Sequence, residues 1–256
     1  MLVSVLCSGS EGNSTLVQID GINILIDLGL NNKYICDQLH QLGLESSDIN
    51  YLLITHGHKD HTGAMSTFLK KNNPLIFVNE KVLVDIPFLN DYDNISFENG
   101  LFNITDDVTV ETFNLSHDAP GARGYIISDA KNSMVYITDT GYINSRLLNK
   151  LTDKSVYVFE SNHDIEMLLH GRYPSWLKKR ILSDEGHLSN EQAGFYLSRI
   201  MGPDTKKVIL AHLSHENNSP DVAVDTVKKS LIDNNISFND IEVASQRERL
   251  DVIIND

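Results

Sequence analysis

Cysteine is nearly missing from this chain: two in 256 residues, Cys7 and Cys36. That excludes a disulfide framework and a thiolate cage of the structural-zinc kind. Any metal here is held by nitrogen and oxygen. Positive charge is also scarce, with 21 Lys and Arg against 35 Asp and Glu, a net charge of −14. Such a balance speaks against a protein coated for nucleic acid. An enzyme that grips phosphates through metals and a few local cations stays open. No apolar run is long enough to span a membrane. No charged-then-apolar leader stands at the start, where Met1-Leu2-Val3-Ser4-Val5-Leu6 reads as a strand. A cytoplasmic protein without membrane contact is expected. Low-complexity tracts and internal repeats are absent too, and the sequence shows no protein partner.

What is present supports one large domain over residues 1–256. About 41% of residues are hydrophobic, enough for a core without covalent staples. Segments 15–19 and 22–26 alternate around Asp20-Gly21, a hairpin signal. Strands are expected at 2–6, 51–54 and 75–78, along much of 95–138, and at 156–159 and 207–211. Helices are expected at 33–42, from Asp60 to Lys71, at 144–152 and 163–170, after Pro174, at 190–200 and after Pro220. Strands and helices spread along the whole chain suggest an α/β fold of two sheets with helices outside.

Residues 55–62 read Thr-His-Gly-His-Lys-Asp-His-Thr directly after the apolar run Tyr51 to Ile54. On an extended segment, positions i and i+2 share a face. His56 and His58 therefore point one way, and Asp60 and His61 close on the same point from the start of a helix. Three imidazoles and a carboxylate suit zinc, manganese or iron. Other apolar runs also end in ligand-type residues: Asp27, His117, Asp139 and His212. Polar groups on one rim of a sheet are where α/β proteins collect their chemistry.

The ordered set Asp27, His56-x-His58-x-Asp60-His61, His117, Asp139 and His212 resembles the motifs of the metallo-β-lactamase superfamily over nearly the whole chain. That resemblance implies a four-layer αββα sandwich, a single domain with two divalent metal ions, zinc or manganese with iron a third option. His56, His58 and His117 would hold one ion, Asp60, His61 and His212 the other. Asp139 would bridge them, and Asp27 would orient ligands by hydrogen bonds. The stretches Asn114 to Tyr125, Thr138 to Tyr142, Glu160 to Asp164 and Ala211 to Asn218 resemble more narrowly the bacterial YycJ (WalJ) family of exonucleases, linked to DNA repair. This implies a metal-dependent 5′-to-3′ exonuclease on double-stranded DNA. A hydroxide between the metals would attack phosphorus, with Asp60 orienting it and His187 or His215 protonating the leaving oxygen. Positions 140–211 leave no room for the large clamp domain found in RNase J enzymes, and no basic arm of the RNase Z kind is visible.

Substrate contacts are expected from local features. The small-residue loop with Ser8, Ser10 and Asn13 can hold a phosphate through hydroxyls and N–H groups, or brace the metal rim. Arg123 can meet a phosphate bidentately. Asn162 and His163 follow a strand end near the site. Lys178 and Lys179, with Arg172, Arg180, Tyr173 and Trp176, can track a backbone and stack a base, or form a subunit contact. Two other functions stay open. One is a small-molecule hydrolase of the same fold, acting on an ester, lactone or cyclic phosphodiester. The other is a non-catalytic partner that keeps the ligands as a relic.

Overall fold

The computed structural model describes residues 1–254. Its first sheet takes β1 (Leu2–Cys7), β2 (Ser14–Ile19), β3 (Ile22–Ile26), β4 (Tyr51–Leu53), β5 (Leu75–Phe77) and β6 (Ile95–Ser96). The second takes β7 (Leu101–Asn103), β8 (Thr109–Asn114), β9 (Arg123–Ser128), β10 (Ser133–Ile137), β11 (Val156–Glu160), β12 (Lys207–Ala211) and β13 (Ile241–Val243). The last strand, β14 (Leu250–Ile253), returns to the first sheet beside β1. The two orders are β14-β1-β2-β3-β4-β5-β6 and β13-β12-β11-β10-β9-β8-β7. The expected turn between β2 and β3 is present, with Asp20 and Gly21 both at positive φ, as the tight hairpin requires.

The strands read as apolar runs because both faces are covered. On β10, Met134 and Tyr136 enter the core between the sheets, while Val135 and Ile137 face the helices outside. On β11, Val156 and Val158 point in and Tyr157 and Phe159 out; on β3, Ile24 and Ile26 point in and Leu25 out. Helices α1 (Asn32–Gln41), α2 (Lys59–Thr62) and α3 (Met65–Phe68) lie on the first sheet's side. Their Ile35, Leu39, Met65 and Phe68 fill that outer core. On the other side lie α4 (Ser145–Leu151), α5 (Ile165–His170), α6 (Ser175–Ile181), α7 (Asn190–Ile200) and α8 (Pro220–Asp233). Leu147, Leu197 and Val227 of α4, α7 and α8 cover the second sheet. The result is the expected αββα sandwich in a single domain.

One expected helix is broken. Residues 60–71 form two single turns, α2 and α3, instead of one helix. The carbonyl of Asp60 accepts from Asn13 N–H (2.7 Å) and that of His61 from Leu28 N–H (2.8 Å), so neither is left for the next turn. Ala64 N–H goes to Leu28 O at 2.8 Å instead. Gly29 allows this approach, since a Cβ there would run into Asp60 O and Asn13 N. The loops after β1 and β3 thus clamp the histidine-rich segment.

Candidate metal centre

The ends of β3, β4, β8, β10, β11 and β12 converge on one edge of the sandwich. Three residues there leave their strands with a left-handed backbone: Asp27 (φ 59°), Asp139 (φ 61°) and His212 (φ 58°). Asp and His tolerate this region better than most side chains. Each such turn redirects a side chain from the strand end toward the rim.

Three overlapping groups of donors result. His56, His58 and His117 form one; Asp60, His61, Asp139 and His212 a second; Asp139, Glu160, His187 and His212 a third. Within each, one ligand atom per residue lies within 4.8 Å of the others. Asp139 faces both sides: Oδ2 is 3.0 Å from His61 Nε2, and Oδ1 is 3.7 Å from His117 Nε2. The imidazoles crowd, with the His56 ring 4.2 Å from that of His61 and 5.0 Å from that of His117.

Hydrogen bonds set each ring. Asp27, fully buried, accepts from Thr55 N–H (2.9 Å) and Thr55 Oγ1 (2.7 Å), and its Oδ2 is 2.7 Å from His61 Nδ1. Thr55 Oγ1 also lies 3.0 Å from His56 Nδ1. Across the site, Glu160 Oε1 is 2.8 Å from His187 Nδ1 and 3.0 Å from His212 Nδ1. Its Oε2 accepts from Thr140 N–H and Leu188 N–H. A histidine held at Nδ1 by a carboxylate offers Nε2 to a metal. Among the described residues, His56 Nε2 and His212 Nε2 are buried with no hydrogen-bond partner, which normal cores avoid. These unpaired donors fit a metal ion.

The charges agree. Burial works against an ionised Asp139, but His212 and His61 beside it hold its carboxyl well below the usual range. Burial opposes Asp60 in the same way, and His61 and His212 hold it low. Burial lowers His212, yet Asp139, Asp60 and Glu160 outweigh it and hold the ring up to about 10. By contrast, burial and the cation at His61 push His56 well below its ordinary value. Carboxylates that hold a proton on buried rings also attract a cation, which competes for the same lone pairs. The clusters are therefore suited to metal ions.

A cleft of about 400 Å³ opens over these groups, lined among others by His58, Lys59, Asp60, Asn162, Arg180 and His187. Ser10, His117, Asp139 and His212 also reach it. Several expected substrate contacts do not. Arg123 is a correction: it is 1% exposed, and its Nη1 donates to Glu98 O at 3.1 Å, so it meets no phosphate. Ser8 and Asn13 are buried braces. The Ser8 hydroxyl accepts from His212 N–H (2.8 Å), and Asn13 Oδ1 accepts from Gly9 N–H (2.9 Å). His163 is buried away from the cleft, where burial lowers its pKa to about 4 against the pull of Glu160. His215 is exposed and does not line the cleft, so its expected proton-donor role is corrected. Lys178 spends its ammonium on Leu169 O (2.7 Å) and Gly171 O (2.8 Å), closing the end of α5. Lys179 is exposed and outside the cleft lining. The sequence reading missed Glu160 and Thr55. Glu160 carried a signal: like Asp27 and Asp139, it is a carboxylate ending an apolar strand.

Comparison with known proteins agrees with this architecture. A model of the β-lactamase superfamily domain matches residues 22–213. The chain belongs to the metallo-β-lactamase superfamily, and it is a metal-dependent hydrolase. Over 234 residues it is 37% identical to the exodeoxyribonuclease YycJ of Bacillus anthracis, across 89% of this chain and 88% of that protein. It is 36% identical over 234 residues to the exodeoxyribonuclease WalJ of Streptococcus pneumoniae, across 89% and 87%. Among solved structures, the metallo-β-lactamase fold protein YhfI of Bacillus subtilis superposes with a TM-score of 0.72 at 15% identity, across 98% of both chains. Zinc-bound PqqB of Methylobacterium extorquens gives 0.71 at 16% identity, across 98% of this chain and 100% of that one. These two likenesses concern the fold alone.

Proposed function

We propose that residues 1–256 form one hydrolase domain that removes nucleotides from the 5′ end of double-stranded DNA. The observation that carries this reading is the near-full-length identity to two exodeoxyribonucleases. The converging donor groups support the same chemistry. His56, His58 and His117 would hold one divalent ion and Asp60, His61 and His212 a second, with Asp139 shared. Zinc or manganese suits this mix of nitrogen and oxygen, with iron a third option. Bound metal ions of this kind lower the pKa of water and neutralise charge growing on phosphoryl oxygens.

The chain's own groups do the rest. Asp60 Oδ2, within 3.5 Å of His61 Nε2 and His212 Nε2, orients the attacking water. Asp27 and Glu160 hold the ligand rings in one tautomer. His187 lines the cleft with its Nδ1–H tied to Glu160, so that in the imidazolium form its Nε2–H is the proton passed to the leaving 3′ oxygen. Burial would raise the Glu160 carboxyl, but His187 and His212 hold it down to about 2, so it stays ionised throughout. Asn162, whose Nδ2 donates to His212 O at 2.8 Å, and Ser10 sit at the rim where a phosphate enters. No helix among the described residues is long and apolar enough to cross a membrane. Two free cysteines and a DNA substrate support a cytoplasmic location.

The test is cleavage of end-labelled, 5′-phosphorylated duplex DNA in Mn²⁺, in Zn²⁺ and in EDTA, with Asp139→Ala alongside. Metal-dependent release of mononucleotides that Asp139→Ala abolishes is the expected result. No release from metal-loaded protein refutes DNA as substrate. It would favour a small-molecule ester, lactone or cyclic phosphodiester, a reading that the net charge of −14 already favours over a polyanion.

A further inference from the structure

Two walls of the cleft differ in chemistry. One carries the donor groups. The other is α6, which turns Leu177, Arg180 and Ile181 toward the cleft, with Tyr173 just before it. On a helix, residues three and four apart are neighbours. Trp176 therefore neighbours Arg180 on α6, just outside the residues that line the cleft. It is the only tryptophan in the chain, and it is 68% exposed. An exposed indole one helical turn from a cleft-lining arginine leaves its ring face open to a stacking partner.

Arg180 is held in place for a purpose its own packing does not explain. Its Nε and Nη2 donate to the two oxygens of Asp118, at 2.5 and 3.0 Å. Asp118 follows His117 directly, and its Oδ1 is 3.5 Å from His117 Nε2. The guanidinium is thus tethered bidentately to the donor cluster. A guanidinium has five N–H donors, and only two face Asp118. The others stand on a side chain 45% exposed, in the cleft lining, in a protein otherwise dominated by negative charge. A fixed cation beside a hydrolytic site, next to an exposed indole, has the composition of a single-strand binding surface: arginine for the phosphate, aromatic face for the base.

We infer that α6 seats the end of one nucleic-acid strand, with Arg180 on the phosphate adjoining the cut and Trp176 stacked on a neighbouring base. This rests on the DNA reading above and deepens it. Asp118 is a positioning residue that keeps the guanidinium from folding back onto the acidic surface. Lys178, which closes α5, takes no part.

The experiment uses the full, metal-loaded chain. Trp176 is the sole indole, so its fluorescence reports stacking without any turnover. A 5′-phosphorylated duplex with phosphorothioate linkages is titrated in, beside the same duplex with abasic residues at its 5′ end. Quenching by the first and little by the second is expected. In cleavage assays Trp176→Ala should raise KM about tenfold on the normal end, from the typical strength of one aromatic–base stack. On the abasic end it should change KM little, because the partner is already gone. A merely structural role would raise KM on both ends alike. Arg180→Ala should raise KM on both ends, and Arg180→Lys should restore it only in part, since lysine cannot keep the bidentate tether. Normal cleavage with no quenching, or equal effects of Trp176→Ala on both ends, overturns the inference and leaves the nuclease standing. A wild-type protein that cuts no DNA removes the nuclease reading, and this inference with it.

Discussion

Glu160 makes the sharpest test of how the site is built. Its Oε2 accepts two backbone N–H groups, from Thr140 and Leu188, while Oε1 faces the Nδ1 atoms of His187 and His212. Glu160→Gln keeps the shape and removes one acceptor. If the amide oxygen stays on the backbone donors, its NH₂ confronts both Nδ1 atoms. They can accept only by moving their protons to Nε2, and a protonated Nε2 on His212 cannot ligate. If the amide flips, its NH₂ confronts two backbone donors instead. Either way the His212 side of the site loses affinity. Removing such a supporting carboxylate typically costs 10- to 100-fold in metal affinity or activity, which corresponds to about 1.4–2.7 kcal/mol. The assay is competition with a chelator of known affinity, with circular dichroism as the control for folding. Imidazole ¹⁵N shifts report the tautomer directly. A folded Glu160→Gln protein with wild-type metal affinity would refute the assignment of Glu160 as the group that aims His212.

Three further outcomes are expected. Thr55→Val deletes the hydroxyl that donates to Asp27 at 2.7 Å and lies 3.0 Å from His56. A lost hydrogen bond to a buried carboxylate costs about 1.5–3 kcal/mol, read as a lower urea midpoint, with metal affinity reduced about tenfold. Lys178→Ala removes a cap on Leu169 O and Gly171 O. It should lower stability by about 1 kcal/mol and leave the KM for DNA unchanged; a large rise in KM would return Lys178 to the substrate path. Finally, the cleft lining offers two cations, Lys59 and Arg180. Two phosphate contacts give a log–log salt slope of about −2, so a fourfold rise in salt weakens DNA binding about tenfold. A flat profile would count against DNA as the ligand.

Most of the fold was legible because both faces of each sheet are covered. Strands such as β11 and β12 then appear as unbroken apolar runs, and the residues that end them stand out. Asp27, His56, His58, Asp60, His61, His117, Asp139 and His212 all converge on one edge. What stayed illegible depends on tertiary contact. Nothing local distinguishes Arg123, buried under Glu98 O, from Arg180, held at the cleft by Asp118. Both are arginines close to a histidine motif. Likewise the 60–71 segment has helical spacing, and only the claims of Asn13 and Leu28 on its carbonyls break it in two. Spacing could not separate His187 from His215. Only His187 has a carboxylate, Glu160, to aim it.

Three of the positions that define the site hold a strained backbone. Asp27, Asp139 and His212 each end a different strand in the left-handed region, at a cost of about 1–3 kcal/mol apiece. None of the three can be replaced by glycine, the residue that would relieve the strain, without losing the carboxylate or ring. The surrounding sheets hold them there: Asp27 N–H donates to Leu53 O at 2.9 Å and His212 N–H to Ser8 Oγ at 2.8 Å. Ser8 in turn is locked through Asn13 to the loop that clamps α2. The strain on the His212 turn and the break in the helix at residue 63 are therefore tied to one network. It ties the turn after β12 that carries His212 to the segment that carries Asp60 and His61. A site of this kind tolerates changes among exposed residues such as Lys179. It should not tolerate even isosteric changes at Ser8, Asn13 or Thr55, which touch no substrate.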